Sequence, residues 1–112
     1  MDTLKKIRTL IEQNKIKEAD SNIRQLGEGY WKNPEYLILR AKIFKIQKIH
    51  YLAIDTLLIA DTFEKRPEIY ALLSEIYSFL ENYELAEKFL NQDTAPIAMI
   101  ELKKELQGIY KK

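Results

Sequence analysis

Few side chains in this sequence could carry chemistry. His50 is the only histidine and there is no cysteine, so a thiol nucleophile, a thiolate metal site and a disulfide framework are all excluded. His50 stands at the turn into a helix without a companion for a metal site or a triad, and reads as a surface or half-buried residue. Glu81, Glu84 and Glu87 recur at helical spacing along one face, which a solvated surface explains better than an acid–base pair. Gly27-Glu28-Gly29 lacks the preceding strand and the further glycine of a dinucleotide loop, so it reads as a helix terminator. With no convergent titratable set, the expectation is a protein that is not an enzyme, with no catalytic residues, no metal and no cofactor.

Charge is the next source of function. Arg40, Lys42, Lys45 and Lys48 set four cations along one helix and its end, the sharpest local charge feature. The net charge is +1, however, with 11 Lys/Arg against 6 Asp/Glu in residues 1–50 (+5) and 7 against 11 in residues 51–112 (−4). A near-neutral chain argues against a generic polyanion binder. Apolar runs such as Leu57-Leu58-Ile59-Ala60 break at charges long before the roughly 20 residues needed to cross a bilayer, so no membrane partner is expected. No secretory leader is expected either, because Met1-Asp2-Thr3-Leu4-Lys5-Lys6 runs straight into a polar-interrupted helical pattern. A reducing, cytoplasmic setting fits a cysteine-free chain.

The elements that must position any surface are helices. Apolar residues recur at helical spacing, as in Leu4, Ile7, Leu10, Ile11 and in Met99, Leu102, Leu106, Ile109, and nothing alternates like a strand for long. Asn33-Pro34-Glu35 supplies a cap, a first-turn proline and an acid for the helix dipole, Arg66-Pro67-Glu68 repeats the last two, and Thr94-Ala95-Pro96 opens a final helix. Gly27 and Gly29 end an earlier one, and Tyr30-Trp31 is expected to fold back over a join between hairpins. These marks predict seven helices near 2–13, 15–27, 34–47, 49–61, 67–80, 83–92 and 95–110. Their short links make successive helices antiparallel neighbours.

An internal period organises the helices. Pro34 and Pro67, Leu37 and Tyr70, Ala41 and Ser74, Phe44 and Tyr77, Ala53 and Ala86, and Leu57 and Leu90 are paired at a constant spacing of 33. A fainter copy at a spacing of 34 aligns Leu10, Ala19 and Ile23 with Phe44, Ala53 and Leu57. A lone helical hairpin cannot bury both faces, so hairpins stack and the same buried positions recur. The alanines and Ser74 would mark close approach, with Phe44, Tyr77, Leu57 and Leu90 filling the space between.

The unit Tyr70-x-x-Leu73-Ser74-x-x-Tyr77, then Tyr83, then Ala86-x-x-x-Leu90 resembles the tetratricopeptide repeat family in order and spacing. The middle unit keeps Leu37, Ala41, Phe44, Ala53 and Leu57 but has Arg40 for the family's leucine; the first has Lys6 there and Ile7 at the small-residue place. The resemblance implies an all-α, right-handed α-α superhelix of about three hairpins, near 1–33, 34–66 and 67–93. A capping helix over 95–110 completes a single domain spanning 1–112. In that helix Ile97, Met99, Leu102, Leu106 and Ile109 cover the stack, while Glu101, Lys103, Lys104, Glu105 and Gln107 face water.

The family binds peptides or helices in a concave groove lined by the first helix of each hairpin. Carried over position by position, the groove would hold Leu4, Ile38 and Ala71 in one row, Arg8, Lys42 and Glu75 in a second, and Ile11, Lys45 and Ser78 in a third, with Glu12, Ile46 and Phe79 at the edge. Family members that clamp a C-terminal carboxylate use lysine, asparagine and arginine where this chain has Leu4, Arg8, Leu39, Glu68 and Leu72, so that ligand is not expected. The resemblance therefore implies an adaptor or chaperone-like protein-binding module whose partner is a helix or extended segment with apolar anchors. Small proteins of this kind resemble the helical-repeat chaperones of bacterial secretion systems. The alternative is a nucleic-acid-binding repeat protein using the basic third helix, as pentatricopeptide-type repeats bind RNA. The basic stripe does not continue into the next unit, where Glu75 and Ser78 replace Lys42 and Lys45. A homodimer through Leu4, Ile7 and Leu10 is the remaining option for partners.

Overall fold

Several helices begin where the sequence supplies a cap or a proline. Asn33 Oδ1 accepts hydrogen bonds from the Glu35 and Tyr36 amides at 2.9 and 3.3 Å, and Pro34 follows as the first helical residue. Asp2 caps the first helix through the Leu4 amide at 3.0 Å, and Asn82 caps the sixth through the Leu85 amide at 3.2 Å. The computed structural model describes residues 2–110, and side chains as far as residue 107. Those residues form helices α1 (Thr3–Glu12), α2 (Ile16–Arg24), α3 (Pro34–Ile46), α4 (His50–Phe63), α5 (Pro67–Phe79), α6 (Tyr83–Leu90) and α7 (Ala95–Tyr110), with a short 3₁₀ turn at Glu28–Tyr30 and no strand. The protein is all-α.

The repeat is written most clearly in the backbone of the turns. Among the described residues Asn14, Lys48 and Glu81 are the non-glycine residues with positive φ, at 60°, 64° and 64°, and they follow one another at spacings of 34 and 33. Each ends the first helix of a hairpin in the same way. The next amide, of Lys15, Ile49 or Asn82, donates to the carbonyl of Leu10, Phe44 or Tyr77 at 2.8, 2.9 and 2.8 Å. The left-handed residue itself donates to Ile11, Lys45 or Ser78 at 2.9, 3.0 and 3.1 Å, completing a Schellman cap. The first hairpin, whose sequence match is faint, thus shares its turn with the other two.

Lysine and glutamate are poor choices for a left-handed cap, because Cβ crowds the following carbonyl at a cost of roughly 1–2 kcal/mol. Lys48→Gly and Glu81→Gly should each stabilise the protein by about 1 kcal/mol, net of glycine's unfolded-state entropy. A thermal melt should show a rise on the order of 4 °C. The natural glycines do something different: neither Gly27 nor Gly29 has positive φ, and α2 already ends at Arg24. They do not form the left-handed terminator that the sequence pattern suggests. Gly27 is extended and leads into the 3₁₀ turn.

The chain divides into two compact units, residues 1–65 and 66–112, at the junction of the second and third hairpins. In the first unit α1 pairs with α2, α3 pairs with α4, and α3 also packs on both α1 and α2. Leu4, Ile7, Leu10, Ala19, Ile23, Ile38, Ala41 and Ala53 are among its buried residues. Leu4, Ile7 and Leu10 therefore offer no surface to a second copy of the chain. Tyr30 is half-buried with its ring 6.2 Å from that of Tyr36, but Trp31 is exposed and does not fold over a join.

In the second unit α5 pairs with α6, and α7 packs on α6. Ser74 Oγ donates to the Ala86 carbonyl at 2.8 Å, tying the two helices together where the second hairpin has Ala41 and Ala53. Beyond Ala86 the expected match fails. Leu90, paired in sequence with buried Leu57, is 70% exposed, while Phe89 is 2% exposed and stacks on Tyr70 and Tyr77 with centroids 6.2 and 6.1 Å apart. The reason is length: α6 stops at Leu90 and the chain turns extended at Asn91, so Leu90 sits in the last turn without cover. In α7, Ala95, Ala98, Met99 and Leu102 are buried and Leu106 is half-buried, whereas Ile97 is exposed and not part of the cover. The Ile109 side chain lies outside the described residues.

Candidate functional site

Of the twelve positions carried over by the resemblance, Glu12 and Ile46 are exposed at the ends of α1 and α3, and the other ten fall into three groups. Leu4 and Ile38 are core residues, so they line no accessible groove. The cause is the crowding of α3, which α1, α2 and α4 all contact, so its apolar side chains are covered on several sides. Arg8, Ile11, Lys42 and Lys45 are half-buried on α1 and α3. Arg8 does not project as an independent cation: its Nε and Nη2 both donate to Glu35 Oε1, at 2.9 and 2.5 Å, bridging α1 to α3. Ala71, Glu75, Ser78 and Phe79 are all exposed, and their spacing puts them on one face of α5.

That α5 face is the best-formed of the sequence-derived sites. Phe79 is 60% exposed in the last turn, with the small Ala71 and the polar Glu75 and Ser78 beside it, so an apolar anchor stands within a polar rim. Such a set can bind a partner side chain by burial and orient it by hydrogen bonding.

The basic residues of α3 do not form one stripe. Arg40 and Lys42 lie about 200° apart around a helix of 3.6 residues per turn, on opposite faces. The Arg40 guanidinium packs over the Phe44 ring at 4.9 Å from its centroid, and Lys48 occupies the left-handed turn. The acidic row on α6 is similarly structural. Glu81 occupies its turn, Glu84 lies 3.6 Å from Lys88, and Glu84 and Glu87 are exposed. A cleft of about 210 Å³ between α6 and α7 is lined by Glu84, Lys88, Glu101 and Glu105 among others. Among the described residues no group of three His, Asp or Glu side chains converges as a metal site, and no helix is long and apolar enough to cross a membrane. Asp61 is buried near the end of α4, its Oδ2 held by Lys65 Nζ at 3.1 Å.

Sequence reasoning passed over one surface. On α4, Tyr51, Leu52, Ile59 and Phe63 are exposed on the side away from Ala53, Leu57 and Ala60. The sequence signal was the run of apolar residues at every angular position of this helix, more than a single buried face requires.

No family model, curated protein or solved structure matches this chain. The likeness to tetratricopeptide repeats rests on the chain's own residues and spacing.

Proposed function

We propose that this chain is a protein-interaction module of tetratricopeptide-like hairpins, an adaptor or chaperone-like protein of the cytoplasm. It takes a partner peptide or amphipathic helix on the exposed face of α5, the first helix of the third hairpin. The observation that carries this reading is the α5 face, where Phe79 is left exposed at a position the family uses for ligand contact. A largely exposed aromatic side chain on a helix loses little conformational freedom on binding, and burying the rest of it contributes to affinity.

The test is a double variant, Phe79→Glu with Ala71→Glu, used beside the native protein for partner capture from the native cell. A partner held by the native protein should bind the variant at least about 30-fold more weakly, as expected for an aromatic hot spot. Circular dichroism should be unchanged, because both residues are exposed. Equal retention by the folded variant would sink the reading. Binding that collapsed between low and high salt would instead indicate phosphate contacts and nucleic acid.

A further inference from the structure

We draw no further inference here: the strongest candidate, the exposed apolar face of α4 formed by Tyr51, Leu52, Ile59 and Phe63, carries nothing because nothing in the structure shows what covers it.

Discussion

Phe89→Ala should cost about 3–5 kcal/mol, while Leu90→Ala, at the very next position, should cost less than about 0.5 kcal/mol. The side chains are both large and apolar, and they differ in burial. Phe89 is 2% exposed between the rings of Tyr70 and Tyr77, and truncation there leaves a cavity that two flat aromatic neighbours cannot easily close. Leu90 is 70% exposed, so its removal returns little apolar area to water. A loss of this size is a large fraction of the stability of a small domain, about 5–15 kcal/mol, so Phe89→Ala should lower the urea midpoint strongly. Equal destabilisation by the two variants would mean that the inward face of α6 is shifted by one position, as the sequence match of Leu57 with Leu90 suggests.

That match shows where reading the sequence succeeded and where it stopped. Helix starts were legible because Asn33-Pro34 and Pro67 carry backbone constraints of their own, whatever packs around them. Ala19, Ala53 and Ala86 marked the buried side of each second helix correctly, since a small residue recurring at a fixed period signals close approach. The turns were legible only in part. Left-handed caps usually announce themselves as glycine, and here they fall on Asn14, Lys48 and Glu81 while two of the glycines sit nearby at negative φ.

The functional surface was harder, because position within a repeat does not fix exposure. Leu4, Ile38 and Ala71 share a row, yet the first two are buried and the third is exposed. The difference follows from what packs on each helix, which periodicity does not record. The same limit hid the α4 face: Leu57-Leu58-Ile59-Ala60 shows that the helix is apolar all round, but only coordinates separate buried Leu57 and Ala60 from exposed Ile59.

Ile38→Glu, aimed at the groove by sequence, should unfold the first unit without testing any binding surface. The side chain is 0% exposed, and a carboxylate placed there loses its hydration without a designed partner. The expected cost exceeds about 4 kcal/mol, with loss of the cooperative melt and of much of the helical signal from residues 1–65. Phe79→Glu makes the opposite prediction, changing stability by less than about 1 kcal/mol because Phe79 is 60% exposed. Urea denaturation of the two variants side by side checks both numbers. If Ile38→Glu melted like the native protein, Ile38 would be accessible and the first-helix row of Leu4, Ile38 and Ala71 would regain its place in a groove. If it unfolds as expected, partner loss in that variant reports the fold alone, and the binding question passes to Phe79 on α5.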